Sequence, residues 1–182
     1  MNQPGTLLAT LFLAAALLGL GCDSEETTTD SAQRAGTAGE ALPADLVATA
    51  APEGAKNVTA VRAEAQDGQR VVVEGVIGGR GEPISADRAI FTLIDPSVKT
   101  CDTLEGDTCA TPWDACCEPS DFIAANSAAV QVVGADGRPL RAGLEGVGGL
   151  APLKRVIVVG TYRLSPDGQA ATVDAEQIFV AG

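Results

Sequence analysis

The sequence predicts a mainly β fold, a small closed barrel of five strands with one short helix in front of it. Five short segments between residues 70 and 180 are rich in β-branched residues, and turn residues separate them. Two of these segments contain a glycine, which indicates a bulge or a sharp bend inside a strand. Short, bent strands are typical of small barrels. The chain has 182 residues, of which 46% are hydrophobic, so one such domain with appended segments accounts for its length.

The predicted elements follow one another along residues 58–182. A helix is predicted over 58–65, since Asn57 is a favourable N-cap residue and apolar residues recur on one helical face. Strands are predicted at residues 70–77, 89–94, 128–133, 155–164 and 171–180. Before the fourth strand, the segment 144–153 predicts a short irregular helix or turn. In the fifth strand the apolar residues change from one parity to the other, which predicts a bulge near residues 176–177.

The strand segments also follow a specific order. They contain the runs VVVEGVI, FTLIDP, VQVV, VIVVGTY and ATVDAEQIFV, and the closing pattern V-x-A-x-x-I-x-V at 173–180 is the most specific of them. This succession resembles the OB-fold, in the form found in exported bacterial proteins. The resemblance implies an OB-like Greek-key barrel and carries no information on activity. The chain departs from that pattern by inserting residues 95–127 between the second and third strands.

The first segment, residues 1–21, is predicted to be a signal peptide. Residues 7–20 form a nearly continuous apolar run, shorter than the roughly 20 residues that a bilayer-spanning helix needs. The run ends in LGLGC at 18–22, which resembles the lipobox of bacterial lipoproteins. That resemblance implies acylation of Cys22, which would anchor the mature chain to a lipid bilayer of the cell envelope, facing the periplasm or the exterior. The alternative is a secretory signal cleaved near Gly21, with Cys22 as an ordinary thiol.

Residues 22–57 are predicted to form a flexible acidic tether. They consist mainly of Ser, Thr, Ala, Gly and acidic residues, with seven carboxylates against Arg34 and Lys56. Because no apolar period is sustained, the segment offers nothing from which to build a core. We therefore expect it to hold the barrel domain, residues 58–182, away from the membrane.

The insertion holds four of the five cysteines, Cys101, Cys109, Cys116 and Cys117. If Cys22 carries lipid, an even number is left, and in an exported protein oxidation is the default state. A bond between the adjacent pair would form a strained ring, so each of the two is predicted to pair with Cys101 or Cys109, and both arrangements stay open. Because the insertion has few apolar residues to bury, the sequence predicts that disulfides staple it, each contributing about 3 kcal/mol.

Metal binding and thiol redox chemistry are the functional alternatives for the same cysteines. A four-thiolate zinc site normally shows CxxC pairs, which the sequence lacks, and adjacent cysteines fit poorly on one tetrahedron. A redox-active pair normally lies near positive charge, whereas the acidic neighbours in this insertion would raise the thiol pKa values. A soft-metal site is chemically reasonable but requires reduced thiols. The sequence therefore predicts no metal site and no cofactor, and a solvated acidic surface is favoured over a weak calcium site.

Composition excludes several classes of function. The chain has no histidine, which excludes Ser-His and Cys-His catalytic pairs and histidine metal ligands. The net charge is −12, and residues 58–182 contain 17 acidic against 10 basic residues. Because nucleic-acid binding depends on Lys, Arg and stacking aromatics, and aromatics make up only 3% of the chain, no nucleic-acid partner is predicted.

A candidate ligand or partner surface surrounds the insertion. Its members are Arg80, Arg88, Asp102, Asp107, Trp113 and Asp114. Each also has a structural interpretation: ion pairs for the arginines, a solvated acidic surface for the aspartates and a small local core for the tryptophan. The stretch CATPWDACCEP at 109–119 is similar to a block in uncharacterised exported bacterial proteins and brings no known activity. The predicted function is a lipid-anchored, non-enzymatic binding module for a protein or small ligand; the alternative is a metal-binding or thiol-redox lipoprotein.

Overall fold

A computed structural model describes residues 39–182 of the chain. The predicted signal peptide at 1–21, the predicted lipidation site Cys22 and residues 22–38 of the predicted tether lie outside the described residues. Within the described part, the helices are too short and too polar for any of them to cross a bilayer.

Six strands, two α-helices and two 3₁₀ helices form the described chain. The strands are β1 (Lys56–Asn57), β2 (Arg70–Ile77), β3 (Ile90–Ile94), β4 (Ser127–Gln131), β5 (Arg155–Leu164) and β6 (Ala171–Val180). The α-helices are α1 (Val58–Glu64) and α2 (Ser120–Ala125), and the 3₁₀ helices are Cys101–Thr103 and Val147–Gly149. The five predicted strands are confirmed as β2 to β6, and β2, β5 and β6 have the predicted bounds.

Strands β2 to β6 close into a barrel. Neighbouring strands follow the order β1-β2-β3-β4-β6-β5, and β2 also pairs with β5, which joins the two ends of the sheet. The β4–β6 pair is parallel, whereas the β2–β3, β3–β4, β5–β6 and β2–β5 pairs are antiparallel. The β2–β5 ladder runs from Arg70↔Thr161 to Val76↔Arg155, so closure uses most of both strands. The prediction of a mainly β fold with a closed five-stranded barrel is therefore confirmed.

The barrel interior is filled by alternate apolar side chains of its strands. In β2 every second residue from Val71 to Ile77 is buried, as the period of two in a strand requires. Phe91 of β3 and Tyr162 of β5 are the largest side chains in this core, each 1% exposed. Burying one large apolar side chain contributes roughly 1.5–3 kcal/mol relative to leaving it in water, so the alternating pattern accounts for much of the stability of the barrel.

The predicted helix and the predicted bulge are both confirmed. Asn57 caps α1, because its Oδ1 atom accepts a hydrogen bond from the backbone N–H of Ala60 at 3.0 Å. In the β5–β6 ladder, Val159 pairs with Gln177 and Gly160 pairs with Ala175, which leaves Glu176 as the extra residue of the bulge. A Cβ atom on Gly160 would lie 2.2 Å from the carbonyl oxygen of Asp174, so this close approach of the two strands requires glycine.

Asp95 connects helix α1 to the beginning of the insertion. It directly follows β3, is 2% exposed, and its two carboxylate oxygens accept four hydrogen bonds. The backbone N–H and Oγ1 of Thr59 donate to Oδ2, at 3.0 and 2.7 Å, and the backbone N–H and Oγ of Ser97 donate to Oδ1, also at 3.0 and 2.7 Å. Burial opposes ionisation, but these hydrogen bonds outweigh it and lower the pKa of Asp95.

The prediction of a flexible tether reaching residue 57 is wrong for residues 39–57, because this segment packs on the barrel. Leu46 is 1% exposed and belongs to the barrel core. Residues 46–48 lie beside β6, where Ile178 donates to the Leu46 carbonyl at 2.7 Å and accepts from the Ala48 N–H at 2.9 Å. Isolated apolar residues of this kind show no period in the sequence, so only their contact with β6 reveals that they belong to the domain.

The insertion lies between β3 and β4, as predicted, but the expected disulfide staples are absent among the described residues, where all four cysteines are free thiols. A second, smaller apolar cluster holds the insertion instead. It contains Ile94, Val98, Ala115 and Ile123, packed against Val76 of β2. The prediction underestimated what the insertion buries, because Val98 and Ala115 are 5% and 1% exposed although neither belongs to an apolar run.

Candidate functional site

The central part of the insertion docks on the glycine-rich connection that follows β2. The backbone N–H of Gly79 donates to the Trp113 carbonyl at 3.1 Å, and the N–H of Ala115 donates to the Gly79 carbonyl at 2.9 Å. A Cβ on Gly78 would lie 3.1 Å from the same Trp113 carbonyl, so the close approach favours glycine there. Only these tertiary contacts reveal that the two glycines form the platform for the cysteine loop, residues 101–118.

Trp113 and Arg80, two predicted surface residues, hold this docked arrangement together. The indole N–H of Trp113 donates to the Gly81 carbonyl at 2.8 Å, and Nη2 of Arg80 donates to the Glu118 carbonyl at 2.9 Å. Both bonds join the connection after β2 to the cysteine loop. Both side chains therefore stabilise the docking of the loop on this connection.

Three separate stretches of the insertion carry the cysteine side chains. Cys101 opens the first 3₁₀ helix, is 2% exposed, and its backbone N–H donates to the Asp114 carbonyl at 2.8 Å. Cys109 is exposed, and its N–H donates to Oδ1 of Asp107 at 2.6 Å. Cys116 is exposed and directly follows the buried Ala115. Tertiary packing thus holds the backbone at Cys101 and next to Cys116, whereas a local hydrogen bond holds it at Cys109.

The sulfur atoms of these three cysteines converge. The Sγ atoms of Cys101, Cys109 and Cys116 all lie within 4.8 Å of one another, and the Cys101–Cys116 distance is 3.2 Å. Cys117 is not a member of this triad, although its Sγ lies 3.8 Å from that of Cys116. A disulfide requires about 2.05 Å, so these distances describe neighbouring thiols. The cysteine triad, defined as Cys101, Cys109 and Cys116, is the strongest candidate functional site among the described residues.

The electrostatics of the loop disfavour the thiolate forms of Cys101 and Cys117. The hydrogen bond with the Cys116 thiol, together with burial, raises the pKa of Cys101 to about 12. The Cys116 thiol also raises the pKa of Cys117, and the negative charge of Asp107 acts in the same direction on both. Redox-active and nucleophilic cysteines need a lowered pKa. These two cysteines are therefore poorly suited to act as nucleophiles.

The three predicted aspartates are all part of the cysteine loop. Asp102 accepts a hydrogen bond from Oγ1 of Thr100, at 2.5 Å, and its backbone N–H donates to the Pro112 carbonyl. Asp107 orders the backbone at Cys109, as described above. Oδ1 of Asp114 is buried without a hydrogen-bond partner in the described part of the chain. These residues shape the loop and add negative charge around it.

Arg88 lies apart from the other predicted surface residues. It lines a cavity of about 540 Å³ together with Glu40, Asp87 and Arg141, and no residue of the insertion lines this cavity. At this cavity the backbone N–H of Glu40 donates to the Arg141 carbonyl at 2.9 Å. The structure therefore gives Arg80 and Arg88 different neighbours: Arg80 contacts the insertion at Glu118, whereas Arg88 lines this cavity.

No protein-family model matches this chain, and no curated protein sequence matches it either. The function is therefore argued from the geometry of the cysteine triad and from the organisation of the chain.

Proposed function

We propose that this chain is a lipid-anchored protein of the bacterial cell envelope, without catalytic activity, whose OB-like barrel carries a metal-binding loop. The convergence of the three sulfur atoms of the triad within 4.8 Å is the observation that carries the proposal. The sequence left two functions open, a binding module with an unspecified partner and a metal-binding or thiol-redox lipoprotein. This geometry favours metal binding.

The OB-like assignment is supported by the connectivity of the barrel. The strand order β2-β3-β4-β6-β5, closed by the β2–β5 pair, places the third and fifth barrel strands side by side in parallel. An otherwise antiparallel Greek-key barrel of five strands has this arrangement in the OB-fold. The resemblance in sequence and the strand order support the same fold independently.

The lipid anchor is supported by the amino-terminal sequence. An apolar run too short to span a bilayer ends in LGLGC, and Cys22 is the one cysteine outside the insertion. Acylation of Cys22 would hold the barrel domain at a membrane surface, with the chain between the anchor and residue 39 as the connection. Acidic residues exceed basic ones in this domain, which supports a protein that binds cations and no nucleic acid.

Metal binding accounts for the triad better than thiol redox chemistry does. Soft thiolates are the preferred ligands of soft cations such as monovalent copper, and they also bind zinc. A bound cation offsets the mutual repulsion of three thiolates and the nearby charge of Asp107, whereas a reactive thiolate has neither compensation. Binding of a cation therefore favours the deprotonated state of the three cysteines.

The second candidate function is an oxidised loop that presents a partner surface. The 3.2 Å separation of the Cys101 and Cys116 sulfur atoms favours it, because a small movement would bring them to bonding distance. In that state a disulfide closes the loop, and the exposed residues of the insertion become a rigid surface. The state of the thiols decides between the two candidates.

Native and denaturing mass spectrometry of the full-length protein, released from membranes under anaerobic conditions, test the proposal. We expect a chain that begins at Cys22, carries acyl groups and holds one metal ion, with all four remaining cysteines reduced after the metal is removed. Cys116→Ser should lose the ion. Lys99→Gln, a substitution in the same insertion but outside the triad, should retain it.

Two outcomes would contradict the proposal. A native protein without metal, whose mass shows the hydrogens lost in disulfide formation, would establish the oxidised loop instead. A chain that begins at Met1 and carries no acyl group would exclude the lipid anchor.

A further inference from the structure

Resting on the proposed function, in which the cysteine loop binds a metal ion, we infer that the ion is soft and monovalent, of the Cu(I) class, and is bound by three thiolates. Cys101, Cys109 and Cys116 are its ligands. Cys117 lies beside the occupied site as the exchange ligand, through which the ion enters and leaves.

The spacing of the sulfur atoms fits a three-coordinate ion. With metal–sulfur bonds of about 2.3 Å, three sulfur atoms arranged in a plane around one ion lie roughly 4 Å apart. The three sulfur atoms of the triad are already within 4.8 Å of one another, and those of Cys101 and Cys116 are 3.2 Å apart. An ion therefore fits among them after movements of less than about 1 Å in side chains, two of which are exposed.

The number of donors distinguishes monovalent copper from zinc. Structural zinc almost always has four protein ligands. The chain contains no histidine, and among residues 39–182 no carboxylate oxygen joins the three sulfur atoms within the same 4.8 Å. A soft monovalent ion with a filled d shell is satisfied by three thiolates and gains little from a hard fourth ligand. The donor set thus fits Cu(I) and leaves zinc one ligand short.

The charge and proton balance of binding are simple. Three S–H bonds break, three metal–sulfur bonds form, and three protons pass to the solvent. No oxidation state changes, because the ion is taken up as Cu(I). The resulting anionic site lies at the protein surface, since Cys109 and Cys116 are exposed and only Cys101 is buried. A buried ligand fixes the position of the ion while two exposed ligands leave it accessible.

Cys117 is placed for ligand exchange rather than for stable coordination. Its Sγ lies 3.8 Å from that of Cys116 and outside the triad, and its side chain is exposed. Adjacent cysteines cannot easily occupy two positions around one ion, but the second can replace the first as ligand for a short time. Replacement of Cys116 by Cys117 would open the three-thiolate site and let the ion pass to a competing ligand.

The test uses full-length protein, reduced and kept anaerobic, titrated with Cu(I) against the chelator bathocuproine disulfonate. X-ray absorption at the copper edge counts the sulfur ligands, and stopped-flow absorbance follows transfer of the ion to the chelator. We expect one Cu(I) with three sulfur ligands. Cys109→Ser, an exposed position, should lower the affinity by about tenfold or more and leave two sulfur ligands.

Cys117→Ser tests the exchange ligand: three sulfur ligands should remain, and transfer of the ion to the chelator should become slower. Lys99→Gln, at an exposed position of the same insertion, is the matched control and should leave coordination, affinity and transfer rate within about twofold of the parent protein. Circular dichroism checks that all of these variants fold. A tetrahedral zinc site with four sulfur ligands, in which Cys117→Ser loses as much affinity as Cys109→Ser, would overturn this inference and leave the proposed metal-binding function intact. Reduced protein that binds neither Cu(I) nor zinc would overturn both.

Discussion

At the scale of single residues, Asp95 shows how one buried carboxylate can join two distant segments. It receives two hydrogen bonds from Thr59 in α1 and two from Ser97 at the start of the insertion. Removing one partner of a buried hydrogen bond leaves the other partner unsatisfied, which costs about 1–3 kcal/mol. The carboxylate therefore holds the helix and the insertion in a fixed relation to the end of β3.

Asp95→Asn should lower the free energy of unfolding by about 1–3 kcal/mol at neutral pH, because the amide nitrogen cannot accept two of the four hydrogen bonds. Since the folded pKa of Asp95 lies below its unfolded value of about 3.9, its contribution is complete above that value. The contribution is lost as the pH falls through the folded pKa. Urea unfolding across this acidic range should therefore show a weaker pH dependence in the variant.

Asp45→Asn serves as the control for this experiment, because Asp45 is exposed. Its unfolding free energy and pH dependence should match those of the parent protein. Equal pH dependence in Asp95→Asn and the parent would contradict the assigned role of the buried carboxylate.

The cysteine triad shows, also at the scale of residues, why the proposed metal site could not be predicted from spacing along the chain. Their spacing lacks CxxC pairs, and the sequence therefore predicted no metal site. In the structure the three converging sulfur atoms come from three separate stretches of the loop. Spacing along the chain identifies a site only where ligands share one turn, so the triad could not be predicted in this way.

At the scale of elements, the insertion depends on its docking to the connection after β2. Trp113→Phe keeps an aromatic ring at this position but removes the indole N–H and its hydrogen bond to the Gly81 carbonyl. The loop should therefore lose about 1 kcal/mol of local stability. Hydrogen exchange measured by mass spectrometry should become faster in residues 101–118 and stay unchanged in β2 to β6.

The matched control for the docking experiment is Phe122→Leu, since Phe122 lies in the same insertion with 38% of its surface exposed. Its exchange pattern should equal that of the parent chain. If Trp113→Phe accelerated exchange equally throughout the barrel, the tryptophan would belong to global stability and the docking account would fail.

The segment before β1 is a further element whose role depends on packing. Leu46 is 1% exposed in the barrel core, so Leu46→Ala should lower the free energy of unfolding by about 2–5 kcal/mol. Chemical denaturation gives this value directly. Leu164→Ala, at a position 39% exposed, should change it by less than about 1 kcal/mol. A similar small change for Leu46→Ala would restore the prediction that residues 39–57 are only a tether.

At the scale of the whole molecule, the proposed acylation of Cys22 would determine where the barrel and its cysteine loop act. Cys22→Ser should transfer the protein from the membrane fraction to the soluble fraction, because each buried CH₂ of an acyl chain contributes about 0.8 kcal/mol to membrane binding. Fractionation followed by immunoblotting measures the shift. Cys117→Ser, which changes a cysteine of the folded domain, should leave the protein in the membrane fraction. Retention of Cys22→Ser in membranes would show that another feature anchors the chain.

The sequence by itself determined the five barrel strands, the N-cap of α1 and the bulge at Glu176. Each of these depends on a local rule: side chains alternate along a strand, a cap bonds three residues onward, and a change of parity needs one extra residue. The tertiary structure alone decided that residues 39–57 belong to the domain and that three thiols meet. Both results depend on contacts between segments far apart in the chain, for which a linear pattern contains no signal.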